Sequence, residues 1–212
     1  MSEFQWPHVT IVFAARTEDE AKKLLILIEN QEYHGTLDYS YSTLPGIAAA
    51  MNKAIEDARG ELLLFTETDV VPTSSKWIEI MVLNAHRGTF MRGLEVNHRT
   101  PNWSNMIAYK EDLHGEKIDV SYSVAEDTEF FNRMKMKHSI VIGLNRESIV
   151  EHLKEPESQK AVQRAYEYGK NEIRIMKKYK NYSMQEYRQR QVRKLEIAQA
   201  TLKGIDEEMK KV

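Results

Sequence analysis

Glu61-Leu62-Leu63-Leu64-Phe65-Thr66 runs directly into Glu67-Thr68-Asp69, and this join between an apolar run and two carboxylates sets the architecture. A short segment with almost no polar face is the pattern of a strand covered on both sides in a parallel sheet. Upstream, Ile47 to Ala58 is an alanine-rich helix stopped by Gly60, and Pro45-Gly46 separates it from a weakly alternating strand, Thr36 to Ser42. Before that, His34-Gly35 closes a helix. It opens on the capping box Thr17-Glu18-Asp19-Glu20 and carries Ala21, Leu24, Leu25, Leu27 and Ile28 to about Gln31. The β-branched run His8 to Ala15 is the first strand.

Strand, helix, strand, helix, strand with short connections begins a doubly wound α/β domain, whose crossovers are right-handed. Ligands of such sheets bind at the carboxyl ends of the strands. Chemistry is therefore expected just after the third strand, at Glu67-Thr68-Asp69-Val70-Val71-Pro72.

Downstream, Ser74 to His86 has helical spacing, and Thr89 to Val96 and Met106 to Tyr109 are short strands about a polar turn, His98 to Asn102. Glu126 to Lys137 is a helix opened by Glu126-Asp127, with Phe130, Phe131 and Met134 facing inward, and Ser139 to Leu144 is a last strand. From Ser158 the chain is helical to about Tyr179, breaks at Lys180-Asn181-Tyr182 and resumes after Ser183. In that last helix Met184, Tyr187, Gln191, Leu195, Ala198, Leu202, Ile205 and Met209 form a narrow apolar seam. There is no internal repeat.

Composition bounds the function. The 212 residues are 42% hydrophobic and 29% charged, enough for a mid-sized folded domain and too apolar for a disordered chain. The absence of cysteine removes thiol nucleophiles, thiolate metal sites and disulfides. No apolar run reaches the length of a membrane span, and Met1-Ser2-Glu3-Phe4-Gln5 has no signal-peptide character, which predicts an intracellular protein. From Glu155 onward there are 14 Lys/Arg against 9 Asp/Glu, and before it 16 against 23. An acidic head argues against nucleic acid as a partner, the basic tail permits peripheral contact with anionic lipid, and the apolar seam suits a homodimer through the C-terminal helices.

A carboxylate at the end of a buried strand faces the crevice and suits a hard divalent cation such as manganese or magnesium, which commonly takes one or two carboxylates plus substrate phosphates. The bland alternative is a solvated turn, because a chain with 32 acidic residues contains many acid-x-acid triplets by chance. Asp127 likewise stabilises a helix start by about 0.3–1 kcal/mol without any chemistry. Trp103 and Asn105 can line a sugar site, though a buried Trp is ordinarily core.

Two blocks carry a family resemblance. Val9-Thr10-Ile11-Val12-Phe13-Ala14-Ala15-Arg16, with Asn52-Lys53-Ala54-Ile55 and Ala58-Arg59-Gly60-Glu61 leading into Leu62 to Asp69, resembles the nucleotide half of a family 2 glycosyltransferase. Val124-Ala125-Glu126-Asp127-Thr128-Glu129-Phe130-Phe131-Asn132-Arg133, followed by Val150-Glu151-His152, is similar to that family's acceptor-side acidic motif and late histidine. The resemblance implies a GT-A (Rossmann-like) α/β fold, a mostly parallel central sheet flanked by helices, over residues 1–155, with a C-terminal helical extension at 156–212. It implies an inverting, metal-dependent, non-processive transfer of one sugar from a nucleoside-diphosphate-sugar to a glycan, lipid-linked or protein acceptor.

Carried over by position, the resemblance makes Asp127 the catalytic base and Asp69 a ligand of the manganese or magnesium ion that holds the donor diphosphate. Glu67 falls near the donor ribose or the metal, His152 becomes a further metal contact, and Ala15 and Arg16 fall near the nucleotide base. The chain departs from the family at the end of strand two, where Tyr39-Ser40-Tyr41-Ser42 replaces an acidic pair and Asp38 comes too early. It also lacks the Gln-x-x-Arg-Trp signature of processive synthases. The competing expectations are a nucleotidyltransferase on a similar sheet and a catalytically degenerate scaffold.

Overall fold

The computed structural model describes residues 5–96, 103–153 and 159–179. All five elements expected in the first third form: β1 (Val9–Ala14), α1 (Glu18–Glu29), β2 (Leu37–Ser42), α2 (Ile47–Asp57) and β3 (Leu62–Thr66). Thr17 caps α1 by accepting the Glu20 N–H at 3.2 Å, and the Glu20 carboxylate reaches back to the Arg16 N–H at 2.9 Å. This is a capping box whose return bond is displaced by one residue. Gly60 serves a different purpose from the helix stop its position predicts, since α2 already ends in extended backbone at Ala58. A side chain at Gly60 would meet the Thr10 nitrogen at 2.5 Å and the His8 carbonyl at 2.8 Å. The close pass of β1 is what requires glycine there.

The remaining elements are β4 (Val70–Pro72), α3 (Trp77–Leu83), β5 (Thr89–Val96), β6 (Asn105–Tyr109), a 3-10 turn (Lys110–Leu113), α4 (Glu126–His138), β7 (Val141–His152) and α5 (Gln159–Tyr179). Three of them differ from expectation. β4 is an additional strand. α3 starts at Trp77 because Ser74-Ser75-Lys76 form a turn, in which the Ser74 carbonyl accepts the Trp77 N–H at 3.2 Å. β7 continues well past Leu144, as described below. The chain divides into two compact units, one ending at Asn171 and one beginning at Glu172. The helix expected from Ser183, with the dimer or membrane contact expected of it, lies outside the described residues.

The seven strands form one sheet in the order β2-β1-β3-β6-β5-β7-β4. β1 pairs in parallel with β2 and β3, β6 runs antiparallel to β3 and β5, β5 and β7 are parallel, and β4 is antiparallel to β7. Five strands therefore point one way. Successive β3 residues feed opposite layers: Leu62 and Leu64 join Ile11, Leu24, Trp77 and Ile78, while Leu63 and Phe65 join Met51, Phe90, Trp103 and Phe130. Period-two alternation between two apolar layers is why β3 reads as a continuous apolar run.

The sheet is curled. Thr66 and Val70 are four residues apart, roughly 13 Å at full stretch, yet β3 and β4 stand four places apart in the sheet, roughly 19 Å if it were flat. The bend lies in β7. Its pairing with β5 passes from Arg92↔Leu144 to Leu94↔Ile149, so that Gly93 alone opposes residues 145–148. The Asn145 side-chain oxygen caps this bulge by accepting the Glu147 N–H at 2.9 Å.

Asn105 holds the bend from behind. It is fully buried, and its Oδ1 accepts the Trp77 indole N–H at 2.9 Å and the Ser148 hydroxyl at 3.3 Å. Its Nδ2 donates to the carbonyls of Leu94 at 3.1 Å and Ser148 at 3.3 Å. A side chain at Gly93 would collide with this carboxamide and with the Ser148 carbonyl. Asn105→Ala orphans a buried indole N–H and the buried Ser148 carbonyl and takes a donor from the half-buried Leu94 carbonyl, so it should lower stability by about 3 kcal/mol in urea denaturation; a loss below about 1 kcal/mol would contradict the account.

Candidate functional site

The carboxyl ends of the parallel strands β1, β2 and β3 lie side by side along one edge of the sheet. The Ala15 N–H donates to the Ser42 carbonyl at 3.1 Å, which joins the ends of β1 and β2. Arg16 is exposed just beyond, and its backbone is bound by Glu20. Asp38 is at the far end of β2, in register with Thr10, and its carboxylate pairs with His8 at 3.1 Å. It is thus remote from the carboxyl end of β2, and Ser42 occupies the strand end where the family resemblance places an acid.

After β3 the chain makes a tight turn, with the Val70 N–H donating to the Glu67 carbonyl at 3.3 Å. Glu67, Thr68 and Asp69 are half-buried on that turn. The Asp69 carbonyl accepts the Leu153 N–H at 2.8 Å, and Val70 pairs with His152. The β4–β7 ladder thus brings the backbones of Asp69 and His152 to one end of a short ribbon. Among the described residues no three His, Asp or Glu side chains group as a metal cage. The donors at hand are hard carboxylate oxygens on one turn, which suits a divalent cation held jointly with phosphate oxygens.

The second acidic motif arrives from α4. Ala125 precedes the helix in the left-handed region, φ 60 and ψ 23, with no side-chain cap, and Glu126, Asp127 and Glu129 fill the first turn. Negative charge at a helix N-terminus is favourable. Asp127 is buried, and its Oδ1 accepts the Thr128 N–H at 2.6 Å and the Thr128 hydroxyl at 3.2 Å. Burial pushes its carboxyl up to about 6, the negative charge of Glu67 adds to the rise, and the Thr128 hydrogen bonds oppose it. The Glu67 contribution places the turn after β3 and the start of α4 in one electrostatic environment.

Neighbouring residues have other roles. Trp103 is core, packed against Phe65 at 5.0 Å and Phe131 at 4.9 Å between ring centroids, and Asn105 is the hub of the sheet bend. Sequence reasoning missed Thr128 as the partner of Asp127, although a hydroxyl one residue after a carboxylate at a helix start is a visible signal. It also missed Glu95, which lies beyond the level of Thr66 at the same edge and accepts the Ser104 hydroxyl at 2.5 Å.

No family model matches the chain, and no curated protein matches it. Solved structures do. The mannosyltransferase PcManGT from Pyrobaculum calidifontis, in complex with GDP-Man and Mn2+, superposes with a TM-score of 0.64 at 12% identity over 85% of this chain. The chain shares the fold of that mannosyltransferase. It spans 66% of that enzyme's length. S. aureus TarS residues 1–349, in complex with UDP-GlcNAc, gives a TM-score of 0.53 at 12% identity, covering 73% of this chain and 60% of the other. A mycobacterial protein gives 0.53 at 12% identity, covering 71% and 68%.

The raised Asp127 carboxyl has a stability consequence. Because its folded value lies above the ordinary aspartate value of 3.8, at about 6, the favourable contribution is complete below pH 3.8 and lost as pH rises through about 6. Keeping the group ionised at neutral pH then costs up to about 3 kcal/mol. Without divalent cations, Asp127→Asn should therefore be more stable than the parent at pH 8, and the difference should vanish near pH 3.5 in urea denaturation.

Proposed function

We propose that this chain is an inverting family 2 glycosyltransferase that moves one sugar from a nucleoside-diphosphate-sugar to an acceptor hydroxyl. The observation that carries the proposal is Asp127, buried in the first turn of α4 with the charge of Glu67, just past the end of β3, acting on it. The fold likeness to a mannosyltransferase in complex with GDP-Man and Mn2+ adds support. The β1–α1 connection, Ala15-Arg16-Thr17, has no glycine-rich loop of the kind a triphosphate-using nucleotidyltransferase needs.

Asp127 is the base. With its carboxyl at about 6 it is mostly ionised at neutral pH and still basic enough to accept a proton. As the acceptor oxygen bonds to the anomeric carbon, its proton passes to Asp127, the bond to the diphosphate oxygen breaks, and the electron pair leaves with the diphosphate. Attack opposite the leaving group inverts the anomeric centre. The Thr128 hydrogen bonds hold Oδ1 of Asp127 and fix the carboxylate against the first turn of α4.

Asp69, with His152 from the facing strand, would hold manganese or magnesium, and Glu67 would serve the donor ribose or the same ion. When bound, such a cation neutralises charge on the departing diphosphate, so that no second carboxylic acid is needed to protonate it. Ala15 and Arg16 border the base of the nucleotide, and Ser42 offers a hydroxyl at the position of the missing acid.

A panel of uridine, guanosine and thymidine diphosphate sugars, scored by manganese-dependent thermal stabilisation, tests the donor class. Stabilisation by triphosphates alone would favour a nucleotidyltransferase, and no stabilisation by any nucleotide a scaffold. Asp69→Ala should lose manganese-dependent binding of nucleoside diphosphate in titration calorimetry. Asp127→Asn should keep that binding while kcat drops about 10²–10⁴-fold; retained turnover would remove Asp127 as the base.

A further inference from the structure

The entry to α4 is clamped at two successive peptides. The Val124 carbonyl accepts a hydrogen bond at 3.0 Å from Nδ2 of Asn171, a buried side chain on α5. The next carbonyl, that of Ala125, accepts the Glu129 N–H at 3.1 Å, the first bond of the helix. Between the two planes lies the Ala125 Cα at φ 60 and ψ 23, a conformation that alanine does not hold unaided. Release of the first plane would let φ of Ala125 relax toward negative values. The first turn of α4, and Asp127 two residues on, would swing with it. The Thr128 bonds cannot prevent this, because they link Asp127 to the residue beside it and travel with the turn.

We propose that Asn171 is a positioning residue for Asp127, acting through the Val124–Ala125 peptide. The proposal rests on Asp127 being the base, and it makes a helix near the C-terminal end of the first unit part of the machinery that aims it. Asparagine suits this role because a short, buried amide donor loses little freedom in making the bond to the half-buried Val124 carbonyl.

The test uses the full chain with Asn171→Leu, which keeps the bulk and removes the donor, Asn171→Ser, which is too short to reach, and Asn171→Gln, which retains a donor. Hydrogen exchange needs no substrate. In the Leu and Ser variants amides of residues 124–128 should exchange at least roughly tenfold faster, while β1 to β3 and the later turns of α4 keep parental rates. With the donor sugar identified by the nucleotide panel, kcat should fall at least roughly tenfold with donor KM within about twofold, and Gln should recover most of the loss.

Parental exchange in residues 124–128 of both Leu and Ser variants would overturn the proposal, as would faster exchange with unchanged kcat, or a loss that Gln does not repair. Should the parent transfer no sugar from any donor, the proposed function falls, and the exchange comparison by itself still decides whether Asn171 holds the turn.

Discussion

The carboxamide of Asn105 is the constraint on which the rest of the structure depends. It sits opposite Thr66, the last residue of β3, and ties the backbone of β5 and β7 to the indole of α3. A buried amide offsets its desolvation cost only when all its partners are in place, so the site admits one arrangement of the surrounding strands. That arrangement turns the second half of β7 back toward β3. β4 can then pair with it, and the four-residue step from Thr66 to Val70 becomes possible. The turn bearing Glu67 and Asp69 is thus a product of polar chemistry in the core directly behind it.

Burial and pairing set the carboxylates on and around α4 apart. Glu129 is fully buried but lies against Arg133, which also reaches Glu116 at 2.6 Å. Hydrogen bonds from Lys137, His138 and Arg133 hold Glu116 down at about 2. At Asp127 the balance is reversed: burial dominates, the charge of Glu67 adds to it, and the carboxyl rises to about 6. A group held well below neutrality is a structural anchor, whereas one poised near it can exchange protons.

The first third of the fold was legible because its signals are local: an apolar alternation for β3, a capping box for α1, Pro45-Gly46 before α2. The later strands were harder. Asn145 to Ser148 is polar and reads as the end of a strand, yet it is a bulge held by Asn105, a residue distant in the chain. Val70-Val71-Pro72 is too short for periodicity to register. In the site, the positions of Glu67 and Asp127 followed from strand and helix ends, but the burial that shifts Asp127 and the left-handed Ala125 depend on tertiary packing. Alanine gives no sign of a positive φ.

The three-residue ladder between β4 and β7 secures Asp69 from one side, whereas Glu67 continues directly from the thoroughly buried β3. Short ladders open at lower free energy than core strands. Warming or mild denaturant would accordingly loosen the Asp69 side of that turn while the main sheet still gave a native spectrum, so the two flanks of one short turn would part company well before the domain melts.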